Sequence, residues 1–355
     1  MLDAALVDNP MTTNGFEFVE YASPIQGDLE NLFTQMGFLP IAKHRTKQVT
    51  LYRQGEINFL INREPETYAA YYATMHGPSA CSMAFRVQDA KFAHMRALSL
   101  GAKSADTPII DGETHIPAIN GIGDSLLFFV DQYESQTIYD TDFVYFDGVS
   151  RHPTGVGLTY IDHLTHNVYQ GRSDIWTGFY EKLFNFHEQR SFHITGQKTG
   201  FVSRAMVSPC GKIRIPINES TDDKSQIAEY LTTYKGEGIQ HIALGTTDIC
   251  AAIEQLNQQQ IPFMTIPNSY YDIIQERLPD HAQDIARLAK NHILMDGETT
   301  ASGKMELLLQ IFTNTVIGPI FFEVIQRIGH SGFGEGNITA LFEAIERGQE
   351  KRGVL

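Results

Sequence analysis

The chain has 355 residues, 42% hydrophobic and 19% charged, and carries a formal net charge of −15. That charge argues against a nucleic-acid backbone or an anionic membrane as partner, because both repel an acidic protein. No apolar run approaches the roughly 18 residues of a membrane span, and the length suggests two domains, each able to bury its own core.

Cys81, Cys210 and Cys250 have no metal-like spacing and read as reduced thiols. The start, MLDAALVDNPMTTNG, lacks the basic and apolar regions of a secretory signal. Both features predict a cytoplasmic protein.

In chain order, GFEFVEYAS (15–23) reads as a strand, DLENLFTQMGF as a helix and VTLYRQGEINFLINRE as a hairpin turning at Gln54-Gly55. The pattern restarts with strand SACSMAFRVQDA, helix KFAHMRALSLGA ended by Gly101, and closing strand DSLLFFVDQ. Thr137 to Gly148 carries aspartates and aromatics without a helical period and reads as an inter-domain connector. The second half repeats the order. YIDHLTHNV (160–168) is a strand, SDIWTGFYEKLFNF a helix, and GFVSRAMVSP with GKIRIPINE a hairpin. Then GIQHIALGTTDI is a strand, CAAIEQLNQQQI a helix, and MELLLQIFT and PIFFEVIQR are the last strands. Residues 268–304, with LPDHAQDIARLAKN helical, read as an insertion in the last module.

Strand–helix–three strands thus recurs four times, in two pairs, with AFRVQDA (84–90) best matching ALGTTDI (243–249). The expected fold is α+β, with two domains of paired βαβββ modules forming half-closed barrels. The expected boundaries are 13–136 for an N-terminal pair without a metal site, 137–156 for a connector and 157–355 for a catalytic pair.

Glu323 lies inside the apolar run Ile320, Phe321, Phe322, Val324 and Ile325. A carboxylate buried there costs several kcal/mol unless it ends a salt bridge or binds a cation. Aligning the repeats isolates His163 and His241 as candidate ligands beside it, with Ser82 at the place of His241 and Val130 at that of Glu323. Two imidazoles and a carboxylate suit the face of a non-haem Fe(II) oxygenase, which leaves three positions open. A zinc hydrolase uses the same three ligands with a water. His166 points away from His163 because the strand period is two, so it reads as a hydrogen-bonding or surface residue. After GFGEGN, the stripe Ile338, Leu341, Phe342 and Ile345 predicts a one-sided C-terminal lid helix.

At DHLTHNV, RIPINE, GEGIQHIAL, LLLQIFT, FFEVIQR and GFGEGN the chain resembles the 4-hydroxyphenylpyruvate dioxygenase family of the vicinal-oxygen-chelate (glyoxalase-like) superfamily. The resemblance covers nearly the whole chain. It implies one Fe(II) held by His163, His241 and Glu323, with 4-hydroxyphenylpyruvate and O₂ converted to homogentisate and CO₂. It implies polar catalytic contacts from Ser203, Asn218, Gln226 and Gln310. Gln240, Pro216, Phe312, Phe321, Phe333, Asn337 and Ile338 become pocket residues. As the neighbour of His241, Gln240 should face away from the metal unless a bulge intervenes. A homo-oligomer, dimer or tetramer, is expected. Ile338 departs from the family's phenylalanine and is similar to the smaller residue of hydroxymandelate synthases, which take the same substrate. A divalent-metal hydrolase or isomerase on the same scaffold is a further alternative. So is a haemolysin or melanin-associated role whose phenotype derives from homogentisate, since no basic amphipathic segment supports direct lysis.

Overall fold

Each half of the chain builds one curled eight-stranded sheet. The computed structural model describes residues 8–107, 111–195, 199–279, 281–337 and 339. In the first half, β1 (Phe16–Ala22), α1 (Asp28–Gln35), β2 (Leu39–His44), β3 (Val49–Gln54) and β4 (Ile57–Asn62) form one module. Helix α2 (Tyr68–His76) links it to β5 (Ser79–Arg86), α3 (Ala90–Ser99), β6 (Ala118–Asn120) and β7 (Leu126–Val130). Then come α4 (Ile138–Asp142) and β8 (Phe143–Tyr145). The third module is β9 (Leu158–Val168), α5 (Ser173–Phe184), β10 (His187–Thr195), β11 (Gly200–Val207) and β12 (Arg214–Ser220). Helix α6 (Gln226–Tyr234) leads to β13 (Gly238–Thr246) and α7 (Ile249–Gln258). After α8 (Ser269–Asp272), α9 (Ile274–Arg277) and α10 (Ile285–Lys290), the last strands are β14 (Leu294–Thr299), β15 (Met305–Phe312) and β16 (Phe321–Ile328).

The second sheet runs β10-β11-β12-β9-β13-β16-β15-β14, so two modules meet where β9 pairs antiparallel with β13. The first runs β6-β7-β5-β1-β4-β3-β2-β8 and joins the same way at β1 and β5. The matched segments AFRVQDA and ALGTTDI end in the same device. Asp89 accepts the Phe92 N–H at 2.8 Å and Asp248 the Ala251 N–H at 3.0 Å, each capping the following helix.

Three expectations are corrected. Residues 137–148, read as a connector without a helical period, contain a short helix and a strand. Thr137 and Asp140 form a capping box that starts α4, and β8 pairs with β2 to extend the first sheet. Within 268–304, β14 pairs along its length with β15, so part of that stretch completes the sheet. The third concerns Val130. Ser82 pairs with Leu126 and Ala84 with Phe128, as His241 pairs with Phe321 and Ala243 with Glu323. The counterpart of Glu323 is therefore Phe128. By the same register the counterpart of His163 is Phe18.

Phe18 and Phe128 lie with ring centroids 5.7 Å apart. Phe18 belongs to a buried cluster with Leu51, Leu60, Ala84, Val130, Ile138, Tyr139 and Phe143, against which Phe128 packs. At the places of His163 and Glu323 the first sheet thus packs two phenylalanines, and at that of His241 it carries Ser82, whose hydroxyl donates to Glu20 at 2.7 Å. Among the described residues no helix is long and apolar enough to cross a membrane.

Candidate metal centre

Strands β9, β13 and β16 are neighbours at the middle of the second sheet. Ala243 on β13 stands beside His163 on one side and Glu323 on the other, and His241 lies two residues away on the same face. The methyl side chain of Ala243 leaves the space between them open. His163 Nε2 lies 3.2 Å from Glu323 Oε2 and 3.3 Å from His241 Nε2, and His241 Nε2 lies 3.5 Å from the same carboxylate oxygen. Ligand atoms bonded at about 2.1 Å to one ion stand about 3.0–3.4 Å apart for right-angled to tetrahedral arrangements. The donor set and its spacing fit a divalent transition metal. Among the described residues these three form the only such cluster of His, Cys, Asp or Glu.

The electrostatics follow from burial. Burial raises the Glu323 carboxyl, but the charges and hydrogen bonds of His163 and His241 more than offset it and bring it to about 2. Burial lowers the His163 imidazole, yet Glu323 and Asp162 outweigh it, so its pKa lies above the ordinary value. For His241 burial prevails and the shift is downward.

Each histidine has an oxygen acceptor at its other nitrogen. Asp162 Oδ1 lies 2.9 Å from His163 Nδ1, and Gln240 Oε1 lies 3.0 Å from His241 Nδ1. Both acceptors are extra residues in a bulge. Between β9 and β13 the register steps from Ala243–His163 to Leu244–Ile161, leaving Asp162 over, and from Ile239–His166 to His241–Thr165, leaving Gln240 over. The bulge is why Gln240 lines the cavity with its neighbour His241. Asp162 is fully buried and bound by Arg327 through contacts of 2.7 and 2.8 Å. Burial alone would raise its carboxyl, but that guanidinium and His163 hold it far below the carboxylate range.

Glu323 Oε1 accepts a 2.7 Å hydrogen bond from Gln310 Nε2, which leaves Oε2 facing the histidines. Asn337 Nδ2 donates to Gln310 Oε1 at 2.9 Å, and Tyr270 OH donates to Asn337 Oδ1 at 2.9 Å. Gln310 Nε2 also donates to the Phe333 carbonyl at 3.3 Å.

The cavity over the three ligands measures about 40 Å³. Ser203, Pro216, Asn218, Gln226, Gln240 and Gln310 line it, with Phe312, Phe321 and Phe333 as aromatic walls. Phe321 stacks on His241 at 4.8 Å, and Phe333 meets His163 edge-on at 5.6 Å. A larger cavity of about 530 Å³ adjoins it and shares Gln226, Gln240 and Phe321. Asn337 is not a wall residue but lies buried behind Gln310. Ile338, with Leu341, Phe342 and Ile345, lies outside the described residues. Of the two readings of His166, hydrogen-bonding or surface, the first holds: it is buried beneath α5, its Nε2 2.7 Å from Tyr180 OH.

Sequence reasoning missed Asp162, Arg327, Thr165, Phe192 and Phe201. Thr165 shares the face of His163 by strand period and reaches His241 Nε2 at 3.0 Å, so that period was its signal. Phe192 sits on β10, whose mostly exposed residues give little apolar alternation.

Residues 7–144 match the family described as hydroxyphenylpyruvate dioxygenase, N-terminal, and residues 160–272 the glyoxalase, bleomycin resistance protein and dioxygenase superfamily. The chain is 52% identical to 4-hydroxyphenylpyruvate dioxygenase of Pseudomonas aeruginosa, over 98% of this chain and 97% of that protein. It is 53% identical to hemolysin VllY of Vibrio vulnificus, over 100% and 99%. A solved mutant of 4-hydroxymandelate synthase from Streptomyces coelicolor superposes with a TM-score of 0.83 at 25% identity, covering 96% of this chain and all of that one. With a shared fold, a converging His-His-Glu face and half-identical full-length relatives, the chain belongs to the 4-hydroxyphenylpyruvate dioxygenase family.

Proposed function

We propose that the chain binds one Fe(II) through His163, His241 and Glu323 and converts 4-hydroxyphenylpyruvate and O₂ to homogentisate and CO₂. The observation that carries this reading is the face itself: three converging donors, all on one side, beneath a cavity walled by phenylalanines. Iron supplies a Lewis acid for the α-keto acid and a redox partner for O₂. The protein's own part is positioning. Gln310 occupies one oxygen of Glu323, so the carboxylate offers the other to the metal. Asn218, whose amide donates to Gln240 Oε1 at 3.4 Å, and Ser203, its cross-strand partner, supply polar groups for the phenol. Phe312, Phe321 and Phe333 clamp the ring and exclude water.

A cavity of about 40 Å³ is far below the roughly 300 Å³ at which small-molecule sites begin. Substrate therefore draws on the adjoining cavity of about 530 Å³ as well, or displaces a wall. The Phe333–Asn337 turn is the element we assign to that motion, because the Gly334 backbone at φ 70° packs directly on Gln310. The catalytic unit on this reading is 157–355, and the protein acts in the cytoplasm. A homo-oligomer belongs to the same proposal, supported by the apolar stripe Phe92, Met95 and Leu98 exposed on α3. Light scattering on the purified protein tests it.

Hydroxymandelate synthesis is the second reading, favoured by Ile338 and by the likeness to the Streptomyces enzyme. Chromatography of the products after aerobic incubation with Fe(II) and 4-hydroxyphenylpyruvate decides between them. Homogentisate as the main product, with a minor hydroxymandelate share that Ile338→Phe reduces, supports the first reading. Hydroxymandelate as the main product replaces it with the second, and turnover without O₂ removes both.

A further inference from the structure

Away from the metal pocket, a cavity of about 430 Å³ opens between the two halves of the chain. Its size is within the range of small-ligand sites. Four of its lining side chains are cationic, Arg86 from the first half and Lys212, Arg214 and Arg327 from the second, and one is acidic, Glu56. In a protein with a net charge of −15 this is an unusual concentration of positive charge.

Two of these cations are neutralised in place. Arg86 pairs with buried Glu17 at 2.6 Å, and Arg327 with Asp162 at 2.7 Å. The other two are not. Lys212 Nζ donates to the neutral Asn14 Oδ1 at 2.6 Å. Arg214 comes no nearer to a carboxylate than 3.9 Å, to an Asp162 oxygen that Arg327 already holds. Arg214 opens β12 and Lys212 lies two residues before it; both line the same cleft, and the Arg214 side chain is only 20% exposed. Glu56 is exposed and marks the acidic side of the opening. A cleft with low-dielectric walls focuses the field of two such charges and concentrates anions within it.

We propose that this inter-domain cleft binds a small dianion, a phosphate or a short dicarboxylate, between Lys212 and Arg214. The guanidinium offers paired donors to one anionic group and the ammonium a mobile point charge to the other. The cleft shares no lining residue with the metal pocket. Because both halves line it, the ligand bridges them.

The test is calorimetric titration of the metal-free, full-length protein with inorganic phosphate and, separately, with succinate, using chloride at matched ionic strength as control. No turnover is measured, so the result is independent of the proposed dioxygenase activity. Saturable binding of either probe supports the site, and preference between them identifies the source. Lys212→Gln, at the rim, and Arg214→Gln should each weaken binding roughly tenfold, the loss of one charge-assisted hydrogen bond. Glu56→Gln should strengthen it. Neither probe saturating by about 10 mM, or Lys212→Gln binding as tightly as the unmodified chain, overturns the proposal.

Discussion

Asp162 and Gln240 stand in the same relation to the metal face. Each is the extra residue of a β-bulge between β9 and β13, each immediately precedes a ligand histidine, and each turns a side-chain oxygen to that histidine's Nδ1. An acceptor at Nδ1 holds the proton there and leaves Nε2 as the lone-pair donor. Two local irregularities thus set the tautomer and aim of two rings. The two acceptors differ in charge: Asp162 is anionic and anchored by Arg327, whereas Gln240 is neutral.

Asp162→Asn should weaken metal binding by about 10–100-fold, the usual cost of losing such a partner. Gln240→Leu should weaken it less, because no charge is lost. Asp162→Asn also strands Arg327, which is 11% exposed, and should cost about 3 kcal/mol of stability. Competition with a chromophoric chelator measures the first effect and urea unfolding the second. Equal metal affinity in Asp162→Asn would contradict the positioning role.

Metal binding should release a proton. Against burial, Glu323 and Asp162 hold the His163 pKa above the ordinary histidine value, so the metal-free imidazole stays protonated to higher pH than a free one. The ion must expel that proton. Apparent affinity should therefore climb as pH rises through the His163 pKa and level off above it. Metal titrations across pH 5.5–8.5 in weakly coordinating buffers read this directly, and a flat profile would sink it.

Gln310→Leu removes the donor that holds Glu323 Oε1 and the acceptor that satisfies Asn337 Nδ2. An unsatisfied buried amide costs about 1–3 kcal/mol. Metal affinity should fall roughly tenfold, since the carboxylate is free to rotate. A variant that keeps full metal affinity would show that Gln310 serves substrate alone.

His166 should make the fold acid-sensitive. Burial lowers its pKa to about 3 against 6.5 for the ordinary group. Between those values the unfolded chain binds a proton that the folded chain refuses, so stability is lost as pH falls from 6.5 toward 3. The loss between pH 7 and pH 5 is about 2 kcal/mol. Denaturant unfolding of His166→Gln should be weaker at pH 7 but less dependent on pH. An unchanged pH slope would refute the assignment.

The repeats, the core strands and the convergence of His163, His241 and Glu323 are legible because period-two apolar runs and caps such as Asp89 and Asp248 are local signals. Strand ends are not. Sequence alone puts Val130 at the place of Glu323, whereas pairing through β5 makes Phe128 the counterpart. The Thr137–Asp140 capping box was readable but was masked by surrounding aspartates and aromatics. Asp162 and Gln240 look like residues facing away from the site until the bulges are known. A bulge depends on two strands, and neither strand's sequence records it alone.

The half of the chain without ligands also sets the alignment of the half that has them. Gly55, at φ 55°, presses its hairpin tip on β9, where Glu56 N–H donates to the Thr159 carbonyl at 2.7 Å, four residues before His163. Gly123, at φ 54°, lies so close to the Glu237 carbonyl that an added Cβ would collide with it, four residues before His241. Each histidine-bearing strand is therefore braced at its root by a glycine of the other half, as a workpiece is held in a jig. Alanine at Gly123 would push on β13 and be felt as a mis-set imidazole, although Gly123 touches neither metal ligand nor pocket wall. The sheet without candidate ligands thus has a job of its own: it is tooling for the sheet that bears them.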